Sequence, residues 1–400
     1  MQEIKKDYKR KCPNERTKIF KSNSAIAAIS IFILSSALIF ALTISSLGLN
    51  KIMLLGAGIT MPIGFLSCEK NELYANKNQN APALSPPENE VVSQNLPNFQ
   101  TEKTTTAAQA LESLNAVPED VLKLMNSFSK DHKNDVKGGN IIEQCFDQKG
   151  ATHSYKNIHV KNVTQTKKLN IQKVLAEKVD LEIEDKSQPT VLIFHTHTTE
   201  AYEILDRSFW AKDTNGRSSK PDRNVVRVGD EIENELKKSG FNVIHDREIH
   251  DKKYTGAYDH SRVSVKQYLK KYPSIQVVLD VHRDAIHPDN GNKIRPVTTI
   301  NGQKAAQVMI ITGAQEGRVT DFPDWQYNLR FALKLQKTVC DMYPTLMRPV
   351  LFSQRKYVMD LSHNNVLIEM GSDVNTLQQA VYSGRLIGNA LSKMLEEYVV

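Results

Sequence analysis

The sequence predicts an α/β fold: a mixed or largely parallel sheet flanked by helices, preceded by a single N-terminal transmembrane helix and a flexible tether. Three observations lead to this prediction. Apolar runs alternate with amphipathic segments from about residue 188 to the end of the chain, which is typical of an α/β sheet. A long apolar segment without charges lies near the N-terminus. A polar stretch that contains several prolines separates the two.

The N-terminal segment has the pattern of a membrane anchor. Residues 1–21 are rich in Lys and Arg, and residues 22–50 contain no charged side chain. A helix of that length, at about 1.5 Å per residue, exceeds the roughly 30 Å of a hydrocarbon core. Basic residues before the span place 1–21 in the cytoplasm and the rest outside, so we expect a single-pass protein of the cell membrane. A cleaved signal peptide is the alternative, but the long basic lead and the long apolar stretch favour an anchor.

The part of the chain between the anchor and the α/β region is predicted in two pieces. Residues 51–106 read as an interfacial stretch and a disordered linker, because Asn, Gln, Pro and Ser dominate after the first apolar residues. Residues 107–187 read as an accessory region, helical over 107–128 and β-like afterwards. Residues 188–400 form the predicted catalytic domain. The net charge of +7 comes without a basic stripe interleaved with aromatics, so no nucleic-acid partner is predicted.

The elements of the α/β region follow from hydrophobic periodicity and stop signals. For example, apolar residues recur at helical spacing from Val225 to Leu236, and Gly240 supplies the stop. The predicted strands are 191–194, 241–244, 275–281, 308–312 and 366–369. The predicted helices are 224–239, 260–272, 325–342 and 375–398.

Three of these strands end in histidine or glutamate. His195, His197 and Glu200 follow the first strand, His282 ends the second, and Glu369 ends the third. An open α/β sheet binds ligands at the carboxyl ends of its strands, so we expect these side chains to converge. Residues 197 and 200 share one face of a helical turn. Two imidazoles and a carboxylate suit Zn²⁺, so His197, Glu200 and His282 are the predicted metal ligands.

Other residues beside these strand ends are predicted to carry out the chemistry. Glu369 is the predicted proton carrier, since its apolar neighbours imply burial and a raised pKa. Arg283 is predicted to bind a substrate carboxylate or a developing oxyanion. Asp280 is placed to orient a ligand imidazole. Strand alternation leaves His195 as a second candidate for the first ligand; otherwise it lies near the substrate or behind the ligands.

The structural alternative is that each strand-end histidine is a hydrogen-bonded core residue and that Glu369 caps the following turn. The remaining histidines are predicted to be surface or loop residues; they are His132, His153, His159, His245, His250, His260, His287 and His363.

The motifs resemble those of the stage II sporulation protein P family. HTHTTEAY at 195–202 resembles the family's HTHxxE-x-[YF] motif, and DVHRDA at 280–285 and IEMG at 368–371 stand where its other motifs are expected. The resemblance implies a zinc-dependent N-acetylmuramoyl-L-alanine amidase fold acting on peptidoglycan, with further cleavage of peptide cross-links. It also implies a role in engulfment during endospore formation, at the septal membrane, with stage II sporulation proteins D and M.

Carried over residue by residue, the resemblance puts the metal on His197, Glu200 and His282 and the catalytic carboxylate on Glu369. Related amidases often take their glutamate ligand from the start of the second helix. That region has no glutamate before Glu231, which favours Glu200.

Two other functions fit the same residues. A carboxypeptidase-like or endopeptidase activity on stem peptides would use the same metal set, with Arg283 holding a terminal carboxylate. A non-catalytic scaffold that binds the cell wall would use these residues without metal-dependent hydrolysis or proton transfer.

Overall fold

The computed structural model of the chain describes residues 111–165 and 168–400. The predicted cytoplasmic segment, transmembrane helix and linker, residues 1–106, lie outside the described residues. Within the described part of the chain, no helix combines the length and the apolar character needed to cross a membrane.

The described residues contain six complete α-helices and twelve β-strands, and residues 111–115 are also helical. The helices are α1 (Glu119–Asp131), α2 (Ile171–Ala176), α3 (Val225–Lys238), α4 (Ala257–Lys271), α5 (Trp325–Met342) and α6 (Leu377–Leu395). The first six strands are β1 (Lys137–Gln144), β2 (His153–Tyr155), β3 (Ile158–Asn162), β4 (Pro189–Phe194), β5 (Phe209–Ala211) and β6 (Asn242–His245). The last six are β7 (Val277–Asp284), β8 (Lys293–Ile300), β9 (Gln303–Ala306), β10 (Val308–Gly313), β11 (Val350–Ser353) and β12 (Asn365–Ser372).

The main sheet has eight strands in the order β2-β3-β11-β10-β12-β7-β4-β6. Strands β12, β7, β4 and β6 run parallel, as do β3, β11 and β10, while the β10–β12 and β2–β3 pairs are antiparallel. Every residue of β4, β7 and β12 is buried, as expected for parallel strands covered by helices on both faces. The prediction of a mixed, largely parallel α/β sheet is confirmed.

A second sheet of four strands has the order β5-β1-β8-β9. Its strands β5, β8 and β9 were not predicted, because they are short or carry mixed polar and apolar residues. Strand β1 joins this sheet beside β8, and β3 joins the main sheet beside β11. Strands of the predicted accessory region therefore complete both sheets. The domain boundary at residue 188 stays a prediction.

Close helix packing positions α3 against the sheet. Helix α6 crosses α3 at Gly388, where an added Cβ would lie 2.9 Å from the carbonyl oxygen of Ile232. Asn224 caps α3 by accepting from the backbone N–H of Val226 at 2.9 Å. The predicted helix over 107–128 is wrong as a single element within the described residues: Pro118 precedes α1 and disfavours helical geometry in the residue before it.

Candidate metal and catalytic site

The three predicted clusters lie at one edge of the main sheet. Strand β7 lies between β12 and β4, and all three are parallel, so their carboxyl ends meet. Glu369 on β12 pairs in register with His282 on β7, and Phe194 at the end of β4 pairs with Asp280. The turn after β4, which contains His197 and Glu200, therefore lies next to His282 on β7.

Carboxylates flank the His282 ring on both sides. Glu200 Oε2 is 3.3 Å from Nδ1, and Asp280 Oδ1 is 2.8 Å from Nε2. The Glu200 carboxylate also accepts from the backbone N–H of Arg283 at 3.0 Å. Asp280 is held in turn by the backbone N–H and the hydroxyl of Thr196, at 2.9 and 2.8 Å. Asp280 thus lies beside the ring at the place predicted for the partner of a metal-binding histidine, at ion-pair distance but without hydrogen-bond geometry.

These contacts separate the charges of Glu200 and His282. Burial opposes the charged form of both groups. For Glu200 the neighbouring His282 and Arg283 outweigh burial and hold the pKa of the carboxyl well below its ordinary range. For His282 the two carboxylates outweigh burial and raise its pKa well above the ordinary value. In the metal-free chain the two carboxylates therefore favour the protonated form of His282, and this proton competes with a metal for the ring.

His197 lies beside His282 with a ring nitrogen that no group satisfies. The two rings meet edge-on, with centroids 5.3 Å apart, and the Tyr254 ring stacks on His197 at 4.6 Å. Nδ1 of His197 is buried and has no hydrogen-bond partner. Burial lowers the pKa of His197 to about 4, so the ring is neutral, which is the form that binds a metal.

Glu369 is the most isolated polar side chain of the site. It is fully buried, and neither carboxyl oxygen has a hydrogen-bond partner. Burial, and then the nearby Asp284, raise the pKa of Glu369 well above its ordinary value. The pKa values of Glu200 and Glu369 are therefore driven in opposite directions, which favours the charged form of Glu200 and the protonated form of Glu369.

The side chains of this site have the donor chemistry that zinc prefers. A buried polar atom without a partner costs about 1–3 kcal/mol, so the unpartnered atoms of His197 and Glu369 indicate a site shaped for something further. Two imidazole nitrogens and one carboxylate oxygen are a common ligand set of catalytic zinc. In this conformation the three side chains are not close enough to bind one ion together, because no donor atom of His197 lies within 4.8 Å of both Glu200 and His282.

The start of helix α3 offers no competing glutamate ligand. Glu231, the first glutamate after Glu200 and Glu203, is engaged by Arg227 at 2.6 Å and by Arg385 at 2.5 Å. This engagement supports the choice of Glu200 made from the sequence.

Two predicted participants make contacts of another kind. Arg283 donates from Nε to the carbonyl of Ala201 at 3.2 Å and from Nη2 to that of Gly216 at 2.7 Å. Its guanidinium therefore joins two loops, and a role in binding substrate stays a prediction. His195 contacts the Val281 carbonyl and His245, each at 2.8 Å. His197, and not His195, is the histidine whose ring lies edge-on to His282.

The prediction that the remaining histidines are surface or loop residues is wrong for His245, whereas His250 lies in a loop, although its side chain is buried. The side chain of His245 is fully buried at the end of β6, and His250 is buried against Asp246 with Nε2 3.0 Å from its carboxylate. The criterion that identified His282, a histidine at the end of a strand, also applies to His245, which ends β6 beside β4.

One other group of potential ligands lies near His245. Among the described residues, Asp230, Glu233 and His245 are the only His, Cys, Asp or Glu trio whose ligand atoms all lie within 4.8 Å of one another. Arg247 donates to both carboxylates at 2.6 Å. Because this guanidinium already supplies a positive charge there, we do not assign the trio as a metal site.

The site is closed in this conformation. His282 and Glu369 are 0% exposed and His197 is 2% exposed. The cover includes Tyr254, and the Arg217 guanidinium lies 5.0 Å from the centre of that ring. A polymeric substrate reaches the site only if this cover moves.

Comparison with known proteins gives the family. The stage II sporulation protein P family model matches residues 86–392. A curated relative, "Stage II sporulation protein P" of Bacillus subtilis (strain 168), is 27% identical over 246 residues, which cover 58% of this chain and 58% of the relative. The match thus spans a little over half the length of that relative.

Several solved amidase structures show a weak likeness. They include "N-acetylmuramoyl-L-alanine amidase AmiC2 of Nostoc punctiforme" (10% identity, TM-score 0.30, 54% of this chain and 98% of that chain). Another is an N-acetylmuramoyl-L-alanine amidase from Clostridium difficile 630 (15%, 0.29, 50% and 95%). A third is the CwlD amidase from Clostridioides difficile in complex with the GerS lipoprotein (12%, 0.33, 52% and 99%). These values are too low to assign roles to residues. The family match covers most of the chain, and the chain belongs to the stage II sporulation protein P family.

Proposed function

We propose that the chain is a zinc-dependent peptidoglycan hydrolase that cleaves the amide between N-acetylmuramic acid and the L-alanine of the stem peptide. Family membership supports the substrate class. The observation that carries the proposal is the convergence, at one sheet edge, of a charged Glu200, two histidines and a buried Glu369 without hydrogen-bond partners.

The side chains of the site have separate roles in the proposed reaction. His197, Glu200 and His282 would hold zinc, and Asp280 fixes the His282 ring. Zinc, when bound, polarises the amide carbonyl and makes water a better nucleophile at neutral pH. Glu369 takes the proton from the attacking water and delivers it to the alanine nitrogen as the C–N bond breaks. The products are the lactyl carboxylate of muramic acid and a stem peptide with a free amine.

The raised pKa of Glu369 suits this transfer. A carboxylate with an ordinary pKa is a weak base toward water and a poor donor at neutral pH, whereas burial moves the group toward the operating pH. Glu200 would not serve, since His282 and Arg283 keep its carboxylate charged.

We further propose that residues 22–50 anchor the protein in the cell membrane with the catalytic domain outside. The uncharged apolar segment after a basic lead supports this topology. The proposed setting is engulfment during endospore formation, with stage II sporulation proteins D and M as partners, which rests on family membership. Protease accessibility of residues 111–400 in intact spheroplasts tests the topology; protection of the domain would contradict it.

Product analysis tests the activity. The full-length chain, loaded with zinc, is incubated with purified peptidoglycan, and the products are separated and sequenced. We expect new N-terminal L-alanine on intact stem peptides, and none with His282→Ala. Shortened stem peptides alone would instead establish the carboxypeptidase-like or endopeptidase alternative. Zinc-loaded protein that binds peptidoglycan and releases nothing would establish the scaffold.

A further inference from the structure

We propose that His195, His245 and Glu233 form a hydrogen-bonded chain that positions His282, so that His195 is a positioning residue and not a metal ligand. The inference rests on the proposed zinc site and adds two residues, His245 and Glu233, that the sequence motifs do not mark. All three side chains are at least nine-tenths buried.

The chain acts on the backbone next to His282. His195 Nδ1 is 2.8 Å from the carbonyl oxygen of Val281, whose peptide bond leads directly into His282. A carbonyl only accepts, so Nδ1 carries the hydrogen. Thr196, the next residue, holds Asp280 through its backbone N–H and its hydroxyl. The end of β4 therefore holds the two residues of β7 that precede His282.

The second histidine fixes the first. His245 Nε2 is 2.8 Å from His195 Nε2. Because His195 donates from Nδ1, a neutral ring accepts at Nε2, and His245 is the donor in this contact. On its other side, His245 Nδ1 faces Glu233 Oε2 at 3.0 Å, a carboxylate that accepts. His245 therefore donates from both ring nitrogens, to Glu233 and to His195, and His195 donates in turn to the carbonyl of Val281.

Helix α3 accommodates the rings of His195 and His245 at Gly229. A Cβ on Gly229 would lie 2.7 Å from Nε2 of His245 and 2.9 Å from Cε1 of His195. Any larger residue would press on the two rings at their point of contact. Glycine in a helix interior is unfavourable, so its presence here is explained by the close approach of the rings.

Two nitrogens 2.8 Å apart indicate a hydrogen bond between the rings, and a bridging metal would hold them further apart. At Zn–N distances of about 2.0–2.1 Å, two ligands in tetrahedral geometry stand roughly 3.3 Å apart. His195 is committed to Val281 and His245, whereas His197 has an unpartnered nitrogen beside His282.

Zinc affinity of the full-length chain tests the proposal without relying on activity. His245→Leu removes the donor to His195, and we expect zinc to bind about 10- to 100-fold more weakly, measured by competition with a chromophoric chelator. The absorption spectrum of the Co²⁺-loaded protein should shift, since the His282 ring is less well oriented. His245→Gln keeps an amide N–H near the position of Nε2 and should restore most of the affinity.

A matched control separates positioning from general destabilisation. Asn328→Leu removes another buried side chain, one that donates to the carbonyl of Met359 and accepts from the backbone N–H of Asn365, at the opposite end of β12 from Glu369. It should lower the unfolding temperature and leave zinc affinity and the Co²⁺ spectrum unchanged.

A second variant keeps every imidazole in place. Gly229→Ala should weaken zinc binding as His245→Leu does, because its methyl group displaces the ring pair. Unchanged zinc affinity in both His245→Leu and Gly229→Ala, with zinc bound by the wild type, would overturn this inference alone. So would loss of stoichiometric zinc in His195→Ala but not in His197→Ala. A wild-type chain that binds no zinc would overturn the proposed function together with the inference.

Discussion

Replacing Glu369 by glutamine separates catalysis from metal binding. The change keeps the shape of the side chain and removes its ability to exchange a proton. General acid–base catalysis by a positioned group contributes about 10²- to 10⁴-fold, or roughly 3–5 kcal/mol of barrier. We therefore expect Glu369→Gln to lower kcat by at least a hundredfold while bound zinc stays near stoichiometric, since His197, Glu200 and His282 remain.

The same variant has a stability signature that follows from burial. The pKa of Glu369 is raised in the folded chain, so the folded state loses stability as pH rises from the ordinary value of about 4.5 through the raised one. Glutamine has no proton to lose. We expect the metal-free variant to gain about 1–3 kcal/mol over the wild type at pH 8, and the difference to vanish near pH 4.5.

The assay measures turnover by product analysis, zinc by metal analysis, and unfolding of the chelator-treated protein at several pH values. Glu143→Gln is the matched control, because Glu143 is an exposed carboxylate paired with Lys304 at 2.8 Å. It should change neither turnover nor zinc content. Turnover of Glu369→Gln within tenfold of the wild type would refute the assigned proton transfer, and loss of zinc would make Glu369 a ligand.

Three more predictions follow from the same contacts. Zinc binding should release about one proton, from His282. The apparent zinc affinity should therefore fall about tenfold per pH unit below the raised pKa of His282. Calorimetry in buffers of different ionisation enthalpy measures the release, and a binding heat that does not depend on the buffer would contradict it. Tyr254→Ala should speed removal of zinc by a chelator, because this ring covers His197, and equal stopped-flow rates would count against that cover. Glu231→Gln should destabilise the fold by about 3 kcal/mol in urea unfolding, because it leaves the largely buried Arg385 without its carboxylate; an unchanged midpoint would exclude this contribution.

Local pattern was sufficient for much of the α/β region. Helix α5 begins and ends where periodicity predicts, and α3 lies within a residue of its predicted bounds, because its apolar stripe and Gly240 are short-range signals. Strands β4, β7 and β12 were predicted because strands buried on both faces are almost wholly apolar. The four-stranded sheet was missed, because its strands are short or partly exposed and alternate poorly.

The sequence alone determined the family motifs, the strand ends that carry His197, Glu200, His282 and Glu369, and the chemistry that these residue types allow. Tertiary structure decided which groups meet and how charged each one is. Both Glu200, in the turn after β4, and Glu369, within β12, belong to the site, yet one is held charged by His282 and Arg283 and the other is buried without a hydrogen-bond partner. Such differences arise from contacts between residues 80 or more positions apart, which no local pattern encodes.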